Sequence, residues 1–173
     1  MRTPTSTSRR GFVGALGAGA AALAVTACGF KLRQAPIFAF QTIALPAAPT
    51  AYLSQLRRAI NVTGSLTAVP PEQNATAQVV FEVLGEARDT TIISSDAAGQ
   101  VREMQLNYRV RFRLRTQDGR ELIGPSEMAQ SRDISYNETA ALAKESESNL
   151  LYRDMTADIV QQTLRRLSAV KSL

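Results

Sequence analysis

The sequence predicts an α+β fold: a two-layer sandwich in which two helices pack on one face of a roughly four-stranded, mostly antiparallel sheet. The first observation behind this is that residues 77–135 are rich in β-branched residues and are interrupted by two glycine-containing turns. The second is a helical repeat of apolar residues before this region, and the third is a longer repeat after it. The predicted order of elements is therefore β-α-β-β-β-α.

The first strand and the first helix are short. Residues 40–45 form a predicted strand, which Pro46 ends because proline cannot continue a ladder of hydrogen bonds. Thr50 is a suitable N-cap for a helix over residues 52–61. One face of that helix is expected to carry Leu53, Leu56 and Ile60.

A loop and a long strand follow the first helix. Residues 62–76 contain glycine and prolines and predict a loop, with a short extended piece at residues 66–69. The long strand covers residues 77–93, and its alternation predicts two different faces. One face is expected to carry Val79, Phe81 and Val83, and the other Glu82 and Glu86.

The next strand, residues 101–116, has the most regular alternation in the chain and lies between turns at 96–99 and 118–119. Its apolar face carries Tyr108, Val110, Phe112 and Leu114. Its other face carries four arginines, Arg109, Arg111, Arg113 and Arg115, called the arginine row below. This strand therefore predicts a sheet with one buried face and one charged face.

The arginine row has two interpretations. It is either a solvated sheet face, whose charge Glu82 and Glu86 of the neighbouring strand partly offset, or a surface that binds an anionic partner. Arginine suits the second role because its guanidinium binds phosphate through two parallel hydrogen bonds. Charged rows on one-sided sheets are common, so composition alone favours the first interpretation.

The chain ends in a strand and a long helix. The strand is predicted over residues 127–135, after Pro125. Ser135 and Glu138 resemble a capping box for a helix that ends near Ser168. The expected buried face of this helix carries Leu150, Ala157, Val160, Leu164 and Leu167, with Met155 and Ile159 at its edge.

The N-terminal residues have the pattern of a bacterial lipoprotein signal. A weakly apolar run rich in glycine and alanine ends in small residues, and Cys28, the only cysteine of the chain, follows at once. In such signals the thiol receives a diacylglyceryl group and becomes the new N-terminus. A buried free cysteine would leave the basic N-terminus and the small residues unexplained. We expect a signal peptide at residues 1–27, a lipidated tether at 28–39 and a folded domain at 40–173.

The export route stays open. Arg9 and Arg10, followed by Gly-Phe-Val, resemble a twin-arginine export motif. An ordinary secretory signal with two chance arginines explains the same residues equally well.

Composition excludes several classes of function. The formal charge of +5 falls to +2 without residues 1–27, because three arginines and no acidic residue leave with them. The net positive charge is therefore weak evidence for nucleic-acid binding, since an exported, membrane-anchored chain would seldom meet nucleic acid. The chain has no histidine, and its one cysteine is the expected lipid site, which excludes disulfides, thiolate nucleophiles and histidine-based metal sites. No catalytic residue and no metal site is expected.

Two stretches of the sequence resemble the LPS-assembly lipoprotein family LptE. The first, Cys-Gly-Phe-Lys-Leu-Arg at residues 28–33, directly follows the predicted signal. The second is the pattern of the last helix, with Leu142-Ala143-Lys144, Leu151-Tyr152-Arg153-Asp154-Met155, Asp158, Gln161-Gln162 and Leu164-Arg165-Arg166-Leu167. The resemblance covers the whole mature chain, with the elements in the same order.

The resemblance implies a function. A member of this family is a non-enzymatic lipoprotein on the periplasmic side of the outer membrane. It sits as a plug inside the β-barrel of LptD in a one-to-one complex, and it assists delivery of lipopolysaccharide to the cell surface. The implied modification of Cys28 is a diacylglyceryl and an N-acyl lipid, without any other cofactor. By a retention rule that holds for lipoproteins generally, Gly29 favours the outer membrane, since an aspartate at that position would favour retention in the inner one.

The resemblance also assigns residues. A basic residue that the family uses to contact lipopolysaccharide falls on Lys144, whose alternative role is that of a solvated lysine paired with Glu147. A second basic residue of the family lies at the tip of a hairpin. This chain has Ser-Asp-Ala-Ala-Gly at residues 95–99, without arginine or lysine, and Arg102 is the nearest basic residue. The arginine row completes the expected lipopolysaccharide-binding residues.

Two other classes of function remain open. One is a generic lipid-anchored periplasmic module that binds an anionic lipid or glycan through the arginine row, without a barrel partner. The other is a lipid-anchored enzyme, which is weak because the chain lacks histidine, a Gly-x-Ser-x-Gly motif and a spare cysteine.

Overall fold

The domain consists of a five-stranded sheet and two helices that cover one of its faces. The computed structural model describes residues 36–173, so the predicted signal at 1–27, Cys28 and the export arginines Arg9 and Arg10 lie outside the described residues. The strands are β1 (Thr42–Ala44), β2 (Thr67–Val69), β3 (Val79–Ser95), β4 (Val101–Thr116) and β5 (Glu121–Ser135). The helices are α1 (Ala51–Thr63) and α2 (Ala141–Ser168), and two 3₁₀ turns cover Pro71–Thr76 and Glu138–Ala140.

The strands lie in the order β2-β1-β3-β4-β5. The three long strands form an antiparallel meander, whereas β1 pairs in parallel with both β2 and β3. The predicted class, α+β with a mostly antiparallel sheet, is confirmed. The fifth strand is the short piece expected within the loop, which pairs Thr67 with Thr42 of β1. No helix within residues 36–173 combines the length and the apolar character needed to cross a bilayer.

Helix α1 begins one residue before the predicted start at 52 and ends two residues after the predicted end at 61. The side chain of Thr50 accepts a hydrogen bond from the Leu53 amide at 3.2 Å, which is the expected N-cap. Gly64 follows the last turn with a φ of 68°, a conformation that glycine adopts without strain. The predicted face of α1 is buried, and Tyr52 is buried with it.

The core lies between the helices and the sheet. Tyr108, Val110, Phe112 and Leu114 of β4 are all fully buried, as their alternation predicts. The ring of Phe81 stacks on the ring of Phe112 with 5.1 Å between their centroids. The two helices also contact each other, since the Tyr52 hydroxyl lies 2.9 Å from the Thr163 hydroxyl in the buried layer.

The predicted buried face of α2 was wrong in its first half. Met155 and Ile159 are fully buried rather than at the edge, whereas Leu150 is 56% exposed and Ala157 is exposed. The buried stripe includes Thr163, which lies four residues after Ile159 and donates its hydroxyl proton to the Ile159 carbonyl at 2.9 Å. A threonine that bonds to its own helix tolerates burial. The prediction considered only apolar residues and therefore missed a buried stripe that includes a threonine.

The predicted capping box was also wrong. Ser135 is the last residue of β5, where it pairs with Glu103, and it cannot begin a helix. Asn137 caps the 3₁₀ turn instead, by accepting a hydrogen bond from the Thr139 amide at 3.0 Å. Helix α2 begins only at Ala141, without a side-chain cap.

Strand β5 begins at Glu121, six residues earlier than predicted, and includes Pro125. Two properties make a proline acceptable there. β5 is the edge of the sheet, and the register shifts between the partners of Phe112 and Leu114, which places Gly124 and Pro125 in an irregular part of the ladder.

Candidate functional site

The face of the sheet that the helices leave uncovered, called the outer face below, carries the arginine row. The four arginines alternate along β4 with its fully buried residues, so they project away from the helices. The flanking strands bring acidic residues to the same face. The outer face is therefore a charged surface of mixed sign rather than a purely basic one.

Glu82 is shared by two residues of the arginine row. The Nε of Arg113 lies 2.5 Å from one of its carboxylate oxygens, and the Nε of Arg115 lies 2.6 Å from the other. Hydrogen bonds from Arg115 and then Arg113 hold the pKa of the Glu82 carboxyl below its ordinary value. The expected offset of charge by Glu82 is thus present.

The other two arginines differ from each other. Arg109 donates to the Asp89 carboxylate at 2.6 Å. Arg111 is exposed, and its side chain makes no hydrogen bond or ion pair with any residue in the described range 36–173. It lies opposite Gly85 on one side and Glu127 on the other, without an ion pair to the latter. Arg111 is therefore the residue of the row whose charge stays free for another molecule.

The expectation that Glu86 shares the outer face was wrong. The ladder between β3 and β4 pairs Val83 with Phe112 and then Gly85 with Arg111, which leaves Leu84 as an extra residue in a β-bulge. After the bulge the alternation of β3 is reversed, and Glu86 lies opposite buried Val110. Gly85 was the sequence signal for this bulge, because glycine inside a strand pattern often marks one.

The reversal creates a polar cluster under α2 that the alternation did not predict. The Tyr108 hydroxyl donates to Oε1 of Glu86 at 2.8 Å, and burial raises the pKa of that hydroxyl well above its ordinary value. The guanidinium of Arg88 lies between two rings, 4.9 Å from the centroid of Tyr108 and 5.1 Å from that of Tyr152. The Tyr152 hydroxyl donates to the Asp89 carbonyl at 3.0 Å. The cluster holds the hairpin of β3 and β4 against α2.

Lys144 lies at the end of the domain that carries the hairpin tip. Its ammonium donates to the Ser135 hydroxyl at 3.0 Å and to the Glu147 carboxylate at 2.9 Å, so the expected pairing with Glu147 is present. Its side chain is 19% exposed. Lys144 thus joins the start of α2 to the end of β5 and still presents part of its charge to solvent.

The hairpin tip is a tight turn without a free cation. The Asp96 side chain accepts hydrogen bonds from the amides of Ala98 and Gln100, at 2.9 and 3.0 Å. Arg102, the nearest basic residue, pairs with the same carboxylate at 2.5 Å. Within residues 36–173 no cluster of three or more acidic, cysteine or histidine residues has the arrangement of a metal site.

Replacement of Glu82 by glutamine is expected to reduce stability in a pH-dependent way. A carboxyl whose folded pKa is depressed contributes stability above its unfolded pKa of about 4.5, and this contribution is lost as the pH falls through the folded pKa. The difference in melting temperature between wild type and Glu82→Gln should be largest near neutral pH and should shrink in acid. Because the three side chains are partly exposed, the cost at neutral pH should be only about 1–2 kcal/mol.

The matched control for this measurement is Glu127→Gln. Glu127 lies on the same face, opposite Arg111, but forms no ion pair with any residue of the described part of the chain. Its replacement should change the melting temperature little at any pH. A difference for Glu82→Gln that is independent of pH would show that the carboxylate charge does not stabilise the face.

Comparisons with known proteins agree with this architecture. The family model described as "LptE: Lipopolysaccharide-assembly" matches residues 36–167. A solution NMR structure of an uncharacterized lipoprotein B from Nitrosomonas europaea is 32% identical, with a TM-score of 0.69 over 81% of this chain and 90% of that one. Rare lipoprotein B from Shewanella oneidensis is 19% identical, with a TM-score of 0.63 over 75% of this chain and 95% of that one. A minor lipoprotein from Acinetobacter baumannii is 18% identical, with a TM-score of 0.60 over 78% of this chain and 94% of that one.

Proposed function

The chain belongs to the LptE lipopolysaccharide-assembly family, and from that premise we propose that it plugs an LptD-like β-barrel of the outer membrane. In this role it assists the assembly of lipopolysaccharide at the cell surface and binds lipopolysaccharide through basic residues. It has no enzymatic activity, in keeping with the non-enzymatic role of the family. The family match over residues 36–167 is the observation that carries the proposal.

The outer face supports a position inside a barrel. The lumen of a large outer-membrane barrel is polar, so a plug needs a polar surface that is not strongly charged as a whole. Glu82 and Asp89 pair with three of the four arginines and offset two of the four positive charges within the domain itself. The outer face therefore needs fewer opposite charges on the wall of a polar lumen than four unpaired arginines would.

The N-terminal sequence supports attachment to the outer membrane. We propose that Cys28 is the mature N-terminus and carries a diacylglyceryl and an N-acyl lipid, with no other cofactor. Gly29 after it favours the outer membrane, where the domain faces the periplasm. Since these residues precede the described ones, the assignment depends on the sequence pattern alone.

Purification of the chain from detergent-solubilised outer membranes tests the barrel partner. We expect an LptD-like barrel to co-purify in a one-to-one complex, and we expect protease to cleave the isolated domain much faster than the complex, because a lumen shields a plug. Recovery of the chain without a barrel, with lipopolysaccharide binding intact, would instead support the generic anionic-ligand module. Equal cleavage in both states would contradict the plug.

Lys144→Asp is expected to weaken lipopolysaccharide binding while the free energy of unfolding changes by no more than about 1 kcal/mol. The phosphates of lipid A attract a cation, so an acidic residue at position 144 should repel them. The helix dipole favours an acidic residue in the first turn, which partly offsets the lost contacts to Ser135 and Glu147 and the new repulsion from Glu147. Binding is measured by titration of the purified protein with lipopolysaccharide at low and raised salt. The loss in the variant should resemble the effect of salt on wild type.

The arginine row gives a matched pair for the same titration. Arg111→Ala removes the unpaired charge and should weaken binding more than Arg113→Ala, which removes a charge that is already paired with Glu82. A double replacement of Arg109 and Arg111 should weaken binding further. If all these variants and Lys144→Asp bind like wild type at low salt, the anionic-ligand role of these residues is wrong and the row is a structural face.

A further inference from the structure

Two exposed apolar side chains lie at the end of the domain opposite the hairpin tip. Ile37 is 82% exposed and Val62 is 86% exposed. Single exposed apolar residues are ordinary on protein surfaces, so exposure alone has no meaning. The positions of these two relative to the expected lipid anchor are what distinguish them.

Both residues belong to the place where the chain enters the fold. The Ser65 hydroxyl donates to the Pro36 carbonyl at 2.9 Å, and the Thr67 amide donates to the Gln41 carbonyl at 2.9 Å. The entering segment, which includes Ile37, thus runs beside the residues that directly follow α1. Val62 is in the last turn of α1, only three residues before Ser65.

A basic residue accompanies the apolar ones. Arg58 is exposed and lies four residues before Val62 on α1, so the two side chains share one side of the helix. An apolar side chain next to an arginine is the combination that suits a lipid interface, where the first enters the boundary of the acyl chains and the second binds headgroup phosphate.

The short chain between Cys28 and the fold limits how far the entry end of the domain can lie from the membrane. Cys28 and Pro36 are eight residues apart, and an extended chain spans at most about 3.5 Å per residue, or roughly 28 Å here. The hairpin tip is much farther away. β1 runs parallel to β3, and the fourteen residues from Val79 to Ile92 span roughly 40 Å at the usual rise of a strand.

We infer that Ile37 and Val62, together with Arg58, form a membrane-contact surface that lies on the bilayer to which the chain is anchored. The inference depends on one part of the proposed function, the lipid on Cys28, and on nothing about the barrel. The covalent lipid supplies the attachment, so the contact sets the orientation of the domain. It holds the entry end of the domain at the lipid surface, and the hairpin tip and Lys144 lie at the other end of the domain.

Tryptophan substitution tests this inference directly, because the chain contains no tryptophan. Ile37→Trp and Val62→Trp are placed one at a time in the full lipidated protein. The control is Ile92→Trp, at a residue that is 58% exposed near the hairpin tip. Each variant is reconstituted, without the barrel, in vesicles of phosphatidylethanolamine and phosphatidylglycerol, with and without lipids that carry bromine on the acyl chains. The mass of each protein checks that Cys28 carries its lipid.

We expect the emission of the Ile37 and Val62 variants to move to shorter wavelength on vesicles and to be quenched by the brominated lipids, whereas the Ile92 variant stays water-like and unquenched. Water-like emission at residues 37 and 62 would overturn the inference. So would a shift that needs added barrel, which would assign the surface to that partner, or an equal shift of all three variants, which would show adsorption without orientation. A negative result in the tryptophan measurement would not count against the barrel partner. A failed co-purification would not count against the membrane-contact surface.

Discussion

Phe112→Ala is expected to destabilise the domain by about 3–5 kcal/mol, a large part of the roughly 5–15 kcal/mol that holds a domain of this size folded. Phe112 is fully buried, and its ring stacks on Phe81 in the centre of the core. Truncation removes apolar contacts from both the sheet and the helix layer and leaves a cavity between them. Thermal and denaturant unfolding followed by circular dichroism measure the loss.

The matched control is the neighbouring residue on the other face of the same strand. The side chain of Arg111 has no partner within residues 36–173, so Arg111→Ala should change the free energy of unfolding by no more than about 0.5 kcal/mol. Replacements at these two adjacent residues should therefore affect stability and lipopolysaccharide binding separately. The first replacement lowers stability, and the second lowers lipopolysaccharide binding in a protein of normal stability. Equal destabilisation by both would contradict the assignment of the two faces.

Tyr108→Phe is expected to cost about 1–3 kcal/mol, although it removes a single oxygen atom. That hydroxyl donates to Oε1 of Glu86, and Oε2 of Glu86 is already buried without a hydrogen-bond partner in the described part of the chain. In the variant, Oε1 of Glu86 would also lose its donor, the Tyr108 hydroxyl. The cost of an unsatisfied buried acceptor, rather than lost packing, should dominate.

A double-mutant cycle separates these two causes. Glu86→Leu in the Tyr108→Phe background removes the unsatisfied acceptor and should recover most of the lost stability. The stabilities of the wild type and the three variants then give the coupling energy of the pair. Effects that simply add would show that Glu86 and Tyr108 do not interact in the folded protein. That result would also contradict the reversed alternation of β3 after Leu84.

The bulge has a consequence for the whole hairpin. With a regular alternation, Arg88 would lie on the outer face and would add a fifth cation to the arginine row. The extra residue Leu84 instead places the exposed Arg88 on the helix side of the sheet, where its guanidinium lies against the rings of Tyr108 and Tyr152. A cation between two aromatic rings stabilises the contact between β3 and α2 without an opposite charge. The hairpin is thus attached to the helix layer beyond the bulge.

The sequence by itself determined the features that depend on neighbours along the chain. The alternation of β4 assigned its two faces, because successive side chains of any strand point in opposite directions. Thr50 marked the start of α1, because a helix end needs local hydrogen-bond partners, whereas the end at Gly64 lies beyond the predicted last residue, 61. The lipoprotein signal before Cys28 is likewise a local pattern, which the described residues do not test.

Tertiary structure alone decided the features that depend on partners far apart in the chain. Whether residues 67–69 form a strand depends on β1 lying beside them, and whether Glu82 or Glu86 meets the arginine row depends on one extra residue in the pairing with β4. Thr163 is buried because its hydroxyl bonds within the helix and lies beside Tyr52. Register and satisfied polar burial arise from pairing between elements, so the periodicity of one element cannot specify them.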